Sequence, residues 1–187
     1  MKVSKTQVDE NRRAILAAAG RLFRQRGFDA VSVSDVMAAA GLTHGAFYGY
    51  FRSKDELVAA ALADLLATRR PTGKWAQSAA RYLSQGHRDD CAGGCAVAAL
   101  AGDAGRGTPE ARQAMSAGVE HMIARQAADA PGDTEEARRL AAVGRVAAMV
   151  GALILSRAIS EGELSDEVLA ATRAWLGADD ETKTLDE

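Results

Sequence analysis

Residues 41–54 read GLTHGAFYGYFRSK. Phe47, Tyr48, Tyr50 and Phe51 fall within five positions, and Arg52 and Lys54 follow at once. Immediately upstream is VMAAA, residues 36–40. Gly41 stops that run, Leu42 and Thr43 make a tight turn, and a short helix is expected from His44 to Phe51 with Thr43 as its cap. Before the alanines, Ser32 can cap a helix over residues 33–40, with Asp35 placed for a capping box. Two short helices joined by a glycine-containing turn on a basic segment form a helix-turn-helix. Such a unit puts the N-terminal end of its second helix into the DNA major groove. Here that end is Thr43, His44, Gly45 and Ala46. The small residues allow close backbone approach, and Thr43 and His44 can reach phosphates or base edges.

Helical angle divides the aromatics. Phe47 and Phe51 lie four apart on one face and are assigned to a core with Ile15, Phe23, Val36 and Leu57. Tyr48 lies about 100° around from Phe47 and is expected to point outward, offering its hydroxyl to a phosphate. Tyr50 either joins it or packs on the following helix. Lys54 sits in the first turn of that helix, where its charge and the helix N–H groups can hold a phosphate.

The surrounding chain reads as helix throughout. A first helix is expected from Val8 to Arg26, closed by Gly27 with Phe28 as its apolar contact. Ser53 and Glu56 form a capping box for a helix reaching Thr68, with Leu57, Ala61, Leu62 and Leu65 facing inward. RRPTG, residues 69–73, marks a boundary. Helices are then expected over residues 74–85, 95–104, 109–128 (Thr108 as cap, Pro109 at its first position), 134–160 and, capped by Ser165, up to Gly177. Alanine dominates and favours helix, and only three prolines are present. The expectation is an all-α chain of about nine helices. A DNA-binding domain over residues 1–54 would precede a helical effector-binding and dimerisation domain over 55–187.

The net charge of −2 hides an asymmetry. Residues 1–54 carry nine Lys or Arg against four Asp or Glu, and the remainder carries 14 against 21. A basic front on an acidic body points to a polyanionic partner for the front. Cys91 and Cys95 are too few for a disulfide scaffold or a four-thiolate zinc site and fit reduced thiols in the cytoplasm. The start of the chain has no apolar signal-peptide core. The longest uncharged apolar run, residues 146–156, is too short to span a bilayer, so no membrane partner is expected.

Residues 15–62, ILAAAGRLFRQRGFDAVSVSDVMAAAGLTHGAFYGYFRSKDELVAAAL, resemble the N-terminal DNA-binding domain of the TetR/AcrR family of bacterial transcriptional regulators. The shared pattern is an apolar helix ending in Leu-Phe, then Gly plus an aromatic. A Ser-rich approach to an Asp-containing helix follows, then Ala-Gly, Tyr-x-x-Phe and Ser-Lys. The resemblance implies an all-helical cytoplasmic, nucleoid-associated homodimer. Its first three helices would bind a palindromic operator, and its C-terminal domain would bind a small effector that releases the DNA. It implies DNA contacts from Ser32, Ser34, Thr43, His44, Gly45, Ala46, Tyr48 and Lys54. His44 and Gly49 stand where many members carry Lys or Arg and His or Asn. Residues 82–103, YLSQGHRDDCAGGCAVAALAGD, resemble a stretch joining two ligand-domain helices in a subgroup, with Ala96 in place of proline.

In the C-terminal part, residues 134–160 are apolar nearly all round. Small residues at Gly144, Ala147 and Gly151 permit close helix approach. Val143, Ala147, Val150, Gly151 and Ile154, with Leu169, Thr172 and Trp175 of the last helix, read as a dimer surface; an ordinary central core helix is the plain alternative. An effector pocket is placed among Trp75, Tyr82, Cys95, Leu100, Met115, Met122 and Met149, which equally make a core. His87, Cys91 and Cys95 recur every four residues, but Gly93 and Gly94 argue against one helix presenting them to a metal. Burial of both thiols is weighed against redox or electrophile sensing at Cys91 and Cys95. HRDD echoes a kinase catalytic loop without its accompanying motifs. Walker, Gly-x-Ser-x-Gly and His-Glu-x-x-His patterns do not occur, so neither an enzyme nor a cofactor is expected.

Overall fold

The computed structural model describes residues 4–67, 75–160 and 162–178. These residues hold nine α-helices and one 3-10 helix: α1 (Lys5–Arg26), α2 (Val33–Ala39), η1 (His44–Gly49), α3 (Lys54–Ala67), α4 (Trp75–Tyr82), α5 (Gln85–Asp89), α6 (Ala96–Arg106), α7 (Pro109–Ala127), α8 (Glu135–Ala158) and α9 (Glu163–Trp175). No strand occurs among them. The chain is all-α. The expected boundary RRPTG and the C-terminal tail lie outside the described residues.

Packing sorts the described residues into two compact units. One comprises residues up to 67 together with 95–118; the other comprises 75–94 with 119–178.

In the first unit, α1 begins earlier than its apolar periodicity indicates, because the Ser4 hydroxyl accepts the Gln7 N–H at 3.2 Å and caps it. Its inward stripe is Ile15, Leu16, Ala18, Ala19, Leu22 and Phe23. Gly27 ends the helix in the left-handed region (φ 78°), and its N–H donates to the Phe23 carbonyl at 2.8 Å. Phe28 then folds back edge-on against Phe23, 5.3 Å between centroids. The Asp103 carboxylate of α6 accepts the Phe28 N–H at 3.0 Å. Leu57, Ala61 and Leu62 of α3 are buried, and Leu65 is half-buried close against Gly20.

In the second unit, Ala76, Ala79 and Leu83 of α4 pack with Met149 and Ala152 of α8, Leu169 of α9, and Ala178. Trp75, Tyr82, Val168 and Leu176 close over this cluster. Between the helices expected over residues 74–85 and 95–104 lies a further five-residue helix, α5, that periodicity does not indicate. Two arginines hold it. The Arg88 guanidinium donates to Asp166 at 2.7 Å, Ser165 at 3.0 Å and Asp89 at 2.8 Å. Arg157 donates to the carbonyls of Arg88 (2.9 Å) and His87 (2.8 Å). The hydrogen bond from Arg88 holds the Asp89 carboxyl below its usual range, and the Asp89 and Asp166 bonds raise Arg88. The chain passes so close beneath these groups that a Cβ at Gly94 would overlap the Asp90 carbonyl oxygen.

Ser165 is not the cap of the last helix. Gly162 takes that position, and Ser165 is buried inside α9, its hydroxyl donating to the Ser156 carbonyl at 2.7 Å. Although the apolar run at its centre is short, α8 as a whole is long and apolar enough to cross a membrane by length and composition; a third of its most apolar window is buried. Core helices of bundles pass the same test.

Candidate nucleic-acid interface

Val36 and Met37 are buried and fix α2 against α1. The turn is tight: the Leu42 N–H donates to the Met37 carbonyl at 2.9 Å. The second element is a 3-10 helix, where an α-helix is expected. Ala46 N–H reaches the Thr43 carbonyl (3.1 Å) and Tyr50 N–H reaches Phe47 (2.9 Å), both three residues back. The segment is six residues long and contains Gly45 and Gly49, so it has little α-helical propensity. Two buried phenyl rings supply its anchor instead. Phe47 and Phe51 are each 1% exposed and stack at 5.8 Å.

Opposite that anchor the surface is open. Thr43 occupies the cap position without a side-chain capping bond, unlike the capping role expected of it. Thr43, His44 and Gly45 are exposed and Ala46 is half-buried. A Cβ at Gly45 or Gly49 would meet nothing within 4 Å. Tyr48 is 68% exposed. Lys54 is half-buried in the first turn of α3, with Nζ 3.5 Å from the Asp29 carbonyl. Ser53 caps α3 by accepting the Glu56 N–H (3.1 Å), and Glu56 reaches back to the Arg52 N–H (2.8 Å).

The two serines of α2 behave differently. Ser32 is committed to the helix it caps: its hydroxyl accepts the Asp35 N–H (3.1 Å) and donates to Asp35 Oδ2 (2.6 Å), and its own N–H donates to the same oxygen (2.8 Å). These bonds from Ser32 hold the Asp35 carboxyl below its usual range, with the charge of Arg26 adding to them. The Ser34 hydroxyl instead meets His44 Nδ1 at 3.0 Å.

Two neighbours of the interface, Asn11 and Arg12, carry no sequence signal of their role. Asn11 donates to the Tyr50 hydroxyl at 2.7 Å and accepts from Gln7 at 3.0 Å, which settles Tyr50 as a tie to α1. Arg12 lies over the Phe51 ring, 5.2 Å from its centroid. Only contacts across the folded chain reveal these pairings.

The other expected sites are distributed unevenly. Trp75, Tyr82 and Met149 meet in one cluster of the second unit, whereas Cys95, Leu100 and Met115 are buried in the first; Met122 is half-buried. Cys91 is half-buried with Sγ 3.9 Å from the Arg88 carbonyl. His87 is turned to Tyr82, with Nδ1 2.7 Å from its carbonyl and the rings edge-on at 4.6 Å. No cluster able to hold a metal occurs among the described residues. On the α8–α9 face, Val143, Ala147, Ile154 and Trp175 are exposed, and Val150, Gly151 and Thr172 half-buried. Leu169 departs from that set: at 3% exposure it belongs to its own chain's core.

These elements define a helix-turn-helix. Residues 15–61 match the family described as bacterial regulatory proteins, tetR family. Over a 65-residue match the chain is 40% identical to the HTH-type transcriptional regulator TtgR of Pseudomonas putida, covering 35% of this chain and 31% of that protein. The corresponding match to AcrR of Shigella flexneri is 41% over 54 residues, covering 29% and 25%. The matched segment thus spans about a third of these relatives or less. Over nearly the whole length, the fold resembles a TetR-family regulator from Agrobacterium tumefaciens (TM-score 0.71, 17% identity, 91% and 97% of the two chains). It also resembles reduced E. coli NemR (TM-score 0.66, 22% identity, 89% and 94%). Residues 15–61 thus match the DNA-binding domain of the tetR family, and the likeness of the whole chain is one of fold.

Proposed function

We propose that this chain is a DNA-binding transcriptional repressor. It acts as a homodimer on a palindromic operator and is released by a small-molecule effector bound in its C-terminal helices. The division by role follows: residues 1–54 bind DNA, and residues 55–187 bind effector and partner. The observation that carries this reading is the exposed edge Thr43–Gly45 with Tyr48, set on the buried Phe47–Phe51 pair and flanked by Lys54. A rigid apolar anchor beneath an open polar edge suits a groove-reading element, and the basic surplus of residues 1–54 supplies attraction to phosphate.

Dimerisation is supported by the apolar face of α8 and α9. Leu140, Val143, Ile154, Leu155, Leu164 and Trp175 are 41–76% exposed. A patch of this kind marks an interaction surface. A cytoplasmic, nucleoid-associated location follows from the role. A thiol-sensing mode requires an accessible sulfur; Cys95 is only 6% exposed, which leaves the half-buried Cys91 to carry that alternative.

The test is selection of duplexes from a random DNA pool by the purified protein, followed by footprinting on fragments flanking its own gene. Enrichment of a palindrome, protected over two half-sites, is expected. A pool left without sequence preference would remove the regulator reading.

A further inference from the structure

Ser34 and His44 lie on different helices of the helix-turn-helix, and both are exposed. Their Oγ and Nδ1 are 3.0 Å apart. A surface serine that contacts phosphate on its own account has no need of this partner. A histidine that reads a base edge does need one, because an unheld imidazole rotates about two torsions and exchanges tautomers. The pairing leaves the ring's other nitrogen, Nε2, for an outside partner. Tyr48 stands edge-on to the same ring, 6.3 Å between centroids, and limits its swing.

Chemistry selects the form of the ring. In the neutral tautomer where Ser34 donates to Nδ1, Nε2 carries the proton; in the imidazolium Nε2 also carries one. Only the remaining tautomer presents a lone pair. The major groove offers acceptors at purine N7, guanine O6 and thymine O4, inside a strongly negative field. A lone pair aimed there is disfavoured and an N–H is favoured.

We propose that His44 is a specificity-determining residue that donates from Nε2–H to a purine N7, with guanine O6 as the adjoining acceptor, and that Ser34 is the positioning residue that holds the ring for it. This rests on the DNA-binding reading. It reassigns Ser34 from a direct DNA contact to one acting through His44.

The test uses the full-length protein and a duplex selected from a random pool. Base preferences are determined for the wild type and for Ser34→Ala, Ser34→Thr and His44→Ala. The expected result is that His44→Ala abolishes a purine preference at one position of each half-site. Ser34→Ala should relax preference at that same position and weaken the selected duplex by roughly fivefold, the scale of one hydrogen bond. Ser34→Thr, which keeps the hydroxyl, should restore both. Replacing that purine with its 7-deaza analogue should weaken the wild type about as much and leave His44→Ala unaffected.

Equal weakening of all sequences by Ser34→Ala, with base preference intact, would make Ser34 a phosphate contact and overturn the proposal. So would an effect at a different base from that of His44→Ala, or indifference of the wild type to the 7-deaza analogue. A wild type that selects no sequence would instead remove the DNA-binding reading beneath it.

Discussion

Asp103 of α6 accepts the Phe28 backbone N–H at 3.0 Å, across 75 positions of sequence. The same carboxylate pairs with Arg106 at 2.7 Å. Phe28 follows the left-handed Gly27 that ends α1, so this one side chain fixes the approach to the helix-turn-helix. A Cβ at Gly27 would lie 2.7 Å from Asp103 Oδ2. Asp103→Ala is expected to cost about 1.5–3 kcal/mol, the range for a hydrogen bond to a charged group. Gly27→Ala is expected to cost about 1–3 kcal/mol, because φ 78° with ψ 172° is a conformation that essentially only glycine adopts. Urea denaturation of both variants checks this; two unchanged midpoints would show that the joint carries no stability.

The capping box of α2 should make the start of the helix-turn-helix sensitive to acid. Asp35 has a lowered folded-state pKa because Ser32 donates two hydrogen bonds to its carboxylate. Its contribution is therefore present above the unfolded value, about 3.9, and is lost as pH falls through the lower folded value. Ser32→Ala removes the cap, with an expected cost of about 1 kcal/mol, and should reduce the slope of stability against pH below pH 4. An unaltered acid limb in Ser32→Ala would contradict the assignment.

Tyr50 and Tyr48 should respond oppositely to loss of the hydroxyl. Tyr50→Phe breaks the bond from Asn11 and is expected to cost about 0.5–1.5 kcal/mol of stability. Tyr48→Phe leaves a 68% exposed ring and is expected to change stability by less than about 0.5 kcal/mol while weakening DNA binding. Thermal denaturation beside a binding titration separates the two.

On α8 and α9 the contrast is between an outward and an inward apolar side chain. Ile154→Glu, on the exposed face, is expected to yield folded monomers in sedimentation experiments. Leu169→Ala, in the core, should destabilise the chain by about 2–5 kcal/mol. A dimer unaffected by Ile154→Glu would place the interface elsewhere.

The division of Phe47 and Phe51 from Tyr48 was legible because helical angle alone decides which side chains share a face. The Ser32–Asp35 and Ser53–Glu56 caps were legible because capping acts over three residues. What pattern could not supply was contact over long separations. Asn11 meets Tyr50, Asp103 meets Phe28, and Arg88 and the Ser156 carbonyl meet Ser165 inside α9, where its spacing suggested a cap. The 3-10 form of residues 44–49 was likewise hidden, since the phenyl spacing that anchors it also fits an α-helix.

The measurement that tests the central claim most directly is the salt dependence of operator affinity for the wild type, Tyr48→Phe and Lys54→Ala. A steep linear fall of log affinity with log salt is expected for the wild type. Lys54→Ala should bind more weakly on every sequence, with the slope reduced by about one, and Tyr48→Phe should bind more weakly with its slope nearly unchanged. A flat salt response, or affinity unaltered in both variants, would contradict that claim.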